Sequence, residues 1–265
     1  MKKQALYFLF WFMICIGLEE EFFAYTNSGL TGAQFGIAFA CVALMGLYLI
    51  PAGLLLVNES RKSHIPPRLL WLSLLAGAFI SGWLASYGND FMDTLLKPIQ
   101  DQNLLDSIIP MTAPFVEEPV KLFAAFFVLY LLKDWQPKQV LLAGATAGLG
   151  FQIIEDFAYI NQDISESFSY AVSGIFGRMT GAIGSHWLYT ALATFGLYLL
   201  LSKAIPKTQK KLGWLLLISS FGLHLIWNSP LNFLETPLPL TGPALCAAGL
   251  VLFFKAYQTA EELEN

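Results

Sequence analysis

Apolar blocks long enough to cross a bilayer follow one another through this chain of 265 residues, and they leave few folds open to it. Hydrophobic residues make up 56% of the chain and charged residues only 13%, where a soluble domain carries about a quarter charged. The mean hydropathy is +0.58, and the apolar residues run in uninterrupted blocks rather than at amphipathic spacing. In hydrocarbon every backbone N–H and C=O needs a partner within the protein, and helices supply one. The expectation is therefore an all-α polytopic transmembrane bundle of about eight spans, near 5–25, 34–57, 69–88, 112–132, 139–160, 179–202, 212–229 and 239–257. It reads as a single integral membrane domain, 1–265. Its polar core lies at about 111–230, with extra N-terminal spans in 1–110 and a last span and short tail in 231–265.

The first span is the weakest. Its apolar core, Ala5 to Leu18, is short and runs into Glu19-Glu20-Glu21, with Lys2-Lys3 in front. No small-x-small cleavage site follows cleanly, so it reads as a retained signal-anchor rather than a cleaved signal peptide. Cys15, Cys41 and Cys246 each lie inside an apolar block, which suits packing rather than a disulfide framework or a zinc cluster.

Charge placement gives the orientation. With the N-terminus in the cytoplasm and spans alternating, the inside segments hold 12 of the 15 basic residues, leaving Lys97 and Arg178 outside and Lys121 within a span. The positive-inside rule then puts both termini in the cytoplasm. The outside loops, 89–110 and 161–177, lean acidic through Asp90, Asp93, Asp101, Asp106, Asp163 and Glu166. The first of these loops reads either as an interfacial or re-entrant helix or as a plain loop. Gly144-x-x-x-Gly148 and Gly177-x-x-x-Gly181 have the spacing of close helix approach. The tail from Glu261 to Asn265 reads as frayed. The net charge of −4 gives no reason to expect a nucleic-acid partner.

Against this apolar background, four spans carry residues that bind metals or move protons. Span four has Glu117, Glu118 and Lys121; span five has Glu155 and Asp156; span six has His186; span seven has His224 and Asn228. A carboxylate near the bilayer centre costs about 2.5–3.5 kcal/mol on insertion scales, so two side by side need compensation. The four spans run in alternating directions. At ~1.5 Å rise per residue the polar groups all fall in one layer, roughly 7–11 Å below the outer boundary. Any one of them alone is as readily a structural hydrogen-bond or ion-pair partner. Together, two histidines and one or two carboxylates suit zinc or another divalent metal with a position open for water, and a further carboxylate suits a general base. Lys121 shares a helix face with Glu117, as Asn228 does with His224. Pro119 loosens the helix directly after the glutamates. A proton- or ion-coupled transporter would use the same groups, but it needs a polar path across both leaflets. The inner halves, Phe123–Leu132, Leu197–Leu201 and Trp214–Ile218, read as apolar.

The motifs resemble those of the PrsW family of intramembrane proteases. Glu117-Glu118-Pro-Val-Lys121 fits Glu-Glu-x-x-Lys, and Phe151-Gln-Ile-Ile-Glu155 fits Phe-x-x-x-Glu. The isolated His186 and then His224-Leu-Ile-Trp-Asn228 complete the order. The pattern is related to those of CAAX prenyl proteases and bacteriocin-processing enzymes. Asp156 stands where PrsW-like sequences often have Asn, and Pro119 sits inside the first motif. The resemblance covers about 111–230 and implies peptide-bond hydrolysis in or near the membrane, either metal-assisted or by direct activation of water.

On that basis the expected roles are Glu117 as general base, Glu118 as an orienting group or ligand, and Glu155, His186 and His224 as metal ligands. Asn228 would serve the oxyanion, and Lys121 would tune Glu117. The expected setting is a multi-pass protein of the cell membrane, most readily a bacterial plasma membrane. The substrate would be a membrane protein or lipid-anchored peptide cut at the outer leaflet. An inactive scaffold or chaperone of the same fold is the remaining alternative.

Overall fold

The computed structural model describes residues 2–233 and 240–265. Among them all regular structure is helical. The chain begins with α1 (Lys2–Thr26) and α2 (Gly32–Lys62). Next, α3 (Pro67–Leu75) passes through a π-helical turn (Ala76–Ser81) into α4 (Gly82–Leu96). Then come α5 (Gln102–Leu132), α6 (Pro137–Glu166), α7 (Phe168–Gly181), α8 (His186–Leu201), α9 (Lys210–Trp227) and α10 (Thr241–Glu264). The segment 234–239, where the eighth span is expected to start, lies outside the described residues.

Local chemistry sets the helix ends. Thr31 and Gln34 exchange side-chain bonds at the start of α2, and the Asp101 carboxylate accepts from the Leu104 N–H at the start of α5. Pro137 sits in the first turn of α6, where no N–H is needed. At the far end of α8, the Lys210 ammonium donates to the carbonyls of Leu199, Leu200 and Ser202, at 2.6, 2.8 and 3.0 Å. These are carbonyls a helix end leaves without intrahelical partners.

Three described helical stretches are long and apolar enough to cross a membrane by length and composition: Gly32–Lys62, Pro67–Leu96 and Pro137–Glu166. With α3 to α4 counted as one rod, helices overlap all eight expected segments, and α7 is additional. Large apolar side chains such as Phe8, Phe39, Leu54, Ile218 and Val251 face outward. That surface suits a lipid surround and would be a liability in water.

The helices decide one open reading and depart from expectation in three places. The 89–110 segment is helical on both sides of a short turn, since α4 runs to Leu96 and Asp101 caps α5. The 161–177 segment is helical too, split by the cap residue Ser167 between α6 and α7. The expected sixth span, 179–202, is broken: α7 stops at Gly181, a 3-10 turn covers Ala182–Gly184, and α8 begins at His186. Finally, the tail is not frayed. Helix α10 continues to Glu264, and Lys138 ties it to α6, its ammonium 2.8 Å from Glu261 and its N–H 2.8 Å from Glu264. The Lys138 ammonium holds the Glu261 carboxyl below its ordinary range.

Helix α6 is the centre of the bundle and is buried from Pro137 through Gln152, apart from Lys138. Its glycines let neighbours touch its backbone. A Cβ on Gly148 would sit 2.3 Å from the His186 carbonyl oxygen, and one on Gly144 would sit 2.8 Å from that of Thr190. On another face a Cβ on Gly150 would sit 2.1 Å from the Leu74 carbonyl oxygen. The close approach expected of Gly144 and Gly148 is thus the contact of α6 with α8. The second glycine pair makes no such contact at Gly177, which has open space around its would-be Cβ, while Gly181 faces the Trp227 ring. Helix α1 joins the same core through Phe10 and Ile14. A smaller apolar cluster, separate from this core, unites α2, α7 and the end of α6 through Met45, Ile160, Ile164 and Ile175.

Gly148→Ala is expected to destabilise the bundle by about 1–3 kcal/mol, the usual cost of overpacking, because the opposing atoms are backbone. Gly177→Ala should be neutral or slightly stabilising. Unfolding of the two purified full-length variants in detergent checks this; equal midpoints would contradict the α6–α8 contact.

Candidate active site

The seven expected site residues converge at one place, drawn from four elements. Glu117, Glu118 and Lys121 come from one turn of α5, Glu155 from α6, His186 from the first position of α8, and His224 with Asn228 from the end of α9. Glu118 and Lys121 are wholly buried, and Glu117, His186 and His224 nearly so.

The Lys121 ammonium is the hub. It lies 2.6 Å from Glu118 Oε1, 3.5 Å from Glu117 Oε2 and 2.9 Å from His186 Nδ1, with the Phe151 ring centroid 4.5 Å away. Its shortest contact is to Glu118, not to the expected Glu117. A buried ammonium costs several kcal/mol unless paired, and these contacts are what offset it.

Each site histidine is held between a carboxylate and the centre. His224 Nδ1 lies 2.9 Å from Glu118 Oε1, so its N–H donates there and the Nε2 lone pair faces Glu117 Oε2 at 3.7 Å. His186 Nε2 lies 2.9 Å from Glu155 Oε2 and donates to it. The Nδ1 lone pair of His186 then accepts from Lys121 and faces Glu117 Oε2 at 3.9 Å. The tautomers follow from these partners. Tyr189 stacks on the His224 ring at 5.3 Å, and Phe151 meets the His186 ring edge-on at 5.0 Å.

A donor atom from each of Glu117, His186 and His224 lies within 4.8 Å of the others, and all three residues are buried. This grouping differs from the expected ligand set, since Glu155 lies on the far side of the His186 ring and Glu117 faces both imidazoles. The donor chemistry fits a divalent ion on two counts. Two imidazole nitrogens and a carboxylate make a common zinc set, in which His186 Nδ1 would exchange its bond from Lys121 for the ion, and the opposite ring nitrogens already donate to carboxylates, as metal-binding histidines commonly do. Charge also favours it. Glu117, Glu118, Glu155 and Asp156 give four negative charges against two positive from Lys121 and Arg178, an excess of two.

Asn228 has a backbone reason for its place. Pro114 has no N–H to give the carbonyl of Pro110 one turn earlier, and Asn228 Nδ2 donates to that carbonyl at 3.1 Å. The same Nδ2 lies 3.4 Å from His224 Nε2.

Two further polar residues belong to the centre and escaped sequence reasoning. Asn89 Nδ2 donates to Glu117 Oε1 at 3.4 Å, and Gly88 beside it allows α4 to lie against Val116. Arg178 Nη1 donates to Glu155 Oε2 at 2.8 Å and to Asp156 Oδ1 at 3.1 Å. Asn89 was hidden in a segment that reads equally well as a loop. The available signal for Arg178 was its rarity, as one of only two basic residues expected outside.

No curated protein and no solved structure gives a match to the chain. Residues 65–257 match the family model described as PrsW family intramembrane metalloprotease, a stretch that holds all seven expected site residues along with Asn89 and Arg178. With nearly three quarters of its length covered and the motif residues gathered into one buried centre, the chain belongs to the PrsW family of intramembrane metalloproteases.

Proposed function

We propose that this protein hydrolyses peptide bonds of membrane-embedded or lipid-anchored substrates at the Glu117–His186–His224 centre, with zinc or another divalent metal assisting. The observation that carries this reading is the meeting of those three donor atoms within 4.8 Å, with Glu118 and Glu155 holding the opposite ring nitrogens.

Glu117, His186 and His224 would hold the metal. When bound, such an ion acidifies water toward neutral pH and polarises a carbonyl. The remaining chemistry falls to the chain. Glu117 is also the proton acceptor, through Oε1: Oε2 is the oxygen that faces both imidazoles, and Oε1 meets the Asn89 amide at a long 3.4 Å, whereas Glu118 and Glu155 are each tied to an imidazole at 2.9 Å. It takes the proton of the attacking water and returns it to the departing amine. Glu118 and Glu155 act through the histidines, fixing ring orientation and tautomer. Lys121 supplies the counter-charge to Glu118 and Glu117 in a dry setting. The Asn228 amide, beside His224 Nε2, donates to the developing oxyanion.

The charge pattern supports an orientation with both termini in the cytoplasm and the centre toward the outer leaflet of a bacterial plasma membrane. Single-span proteins cut on the extracytoplasmic side are then the natural substrates.

In cells and with purified protein, Glu117→Gln and His224→Ala should lower cleavage at least ~100-fold, and Glu155→Gln about 10–100-fold. Fragment patterns of membrane proteins, compared at equal expression, give the readout. Unchanged patterns for Glu117→Gln would overturn the proteolytic reading. Elemental analysis of purified protein should find about one divalent ion per chain, lost in His186→Ala, and a strong chelator should abolish cleavage until metal is restored. Full activity in demonstrably metal-free protein would overturn the metal-assisted part alone.

A further inference from the structure

The link between α7 and the centre runs through a cation that neither the motifs nor the mechanism above employs. Arg178 sits in the last turn of α7, just before the break that precedes His186. Its Nη1 donates to Glu155 Oε2 and to Asp156 Oδ1, and its guanidinium lies 3.5 Å over the Tyr159 ring. Glu155 Oε2 is the same oxygen that accepts from His186 Nε2. Asp156 is secured from its other side by the Tyr48 hydroxyl on α2, which donates to Oδ2 at 2.5 Å.

This arrangement has a consequence for His186. A glutamate has three side-chain torsions, and one bond to an imidazole does not fix its carboxylate. The Arg178 contact supplies the second restraint on the same oxygen, and Asp156 with Tyr159 fixes Arg178. The geometry points to Arg178 as a positioning residue: it pins Glu155 so that the His186 Nε2–H keeps its acceptor and the ring keeps the rotation that presents Nδ1 to Lys121 and Glu117. The inference rests on the hydrolytic reading for its functional meaning, but not for its structural claim. It also explains why α7 is present. The apolar cluster of α2, α7 and the end of α6 stands apart from the main core, and Arg178 makes it part of the centre. Tyr48 lies outside the family match, so this support comes from a part of the chain that the family pattern does not cover.

The chain has only three histidines, so 15N-histidine NMR of the full-length protein in detergent micelles resolves the tautomer of each. His186→Asn assigns the resonance. The expected result is a hydrogen-bonded His186 Nε2–H, shifted downfield and slow to exchange, in the native protein, loss of that shift and protection in Arg178→Gln, and recovery in Arg178→Lys, whose ammonium can bridge the same two carboxylates. Cleavage in Arg178→Gln should fall about 10–100-fold through kcat with little change in KM. Where Arg178→Gln does not fold, Tyr159→Leu, which removes the ring beneath the guanidinium, should show the same loss to a lesser degree. A His186 resonance identical to that of the native protein in the folded variant overturns the proposal. A weakened Nε2–H bond in a protein that cleaves nothing would leave Arg178 as the positioning residue and count against the hydrolytic reading alone.

Discussion

A fully buried ammonium governs the architecture of this protein. Lys121 is closed off from bulk solvent, and its nearest polar atoms come from Glu118, Glu117 and His186. An unpaired charge in such a place costs several kcal/mol, so α5 and α8 are bound together at this point by necessity. The glutamates carry the requirement outward. Glu118 takes the His224 N–H on α9, and on the far side of His186, Glu155 takes its N–H and needs Arg178 on α7. Each carboxylate thus touches a cation, with Lys121 shared by two of them and Arg178 by the other two.

The polar centre in turn depends on close helix contact beneath it. Helix α6 touches α8 backbone to backbone at Gly148, where the opposing atom is the carbonyl of His186 itself. The same contact that closes the apolar core therefore fixes where His186 leaves the α8 axis. Without hydrocarbon exclusion between helices in lipid, small residues and polar pairs are what drive such association. Here both operate within one helical turn of each other, which couples bundle stability to the geometry of the centre.

Much of the centre was legible in the sequence because expensive residues are rare in an apolar chain. Glu117, Glu118, Lys121, Glu155, His186, His224 and Asn228 stood out by chemistry, and the alternating direction of the helices placed them at one depth. Depth is not rotation, however. Spacing does not say whether Glu117 or Glu155 turns toward the two imidazoles, and packing of α4 and α7 settles it by bringing Asn89 to one and Arg178 to the other. Nor was the break before His186 visible. Ala182-Ile183-Gly184 is apolar and reads as the interior of a span; only the approach of Gly184 to the Cys246 backbone in α10, an encounter distant in sequence, shows why the helix stops. The tail was misread for a similar reason, since Lys138 and Glu261 are far apart in sequence.

The backbone irregularities of the bundle gather around the same centre, and the reason is physical. Pro114 and Pro119 remove the N–H partners of the Pro110 and Phe115 carbonyls on α5, the helix is interrupted at 182–185, and α9 ends at Asn228. In hydrocarbon, unpaired peptide groups are tolerated only where protein or water can satisfy them. Asn228 shows one such repair, donating to Pro110 while lying against His224. A peptide drawn into the membrane brings the same problem with it, because a bond open to hydrolysis cannot be protected inside a helix. Its freed N–H and C=O groups need partners at the depth where cleavage occurs. On the proposed reading, a centre ringed by interrupted helices and amide side chains meets that need, whereas a bundle of unbroken helices would present the substrate with side chains alone.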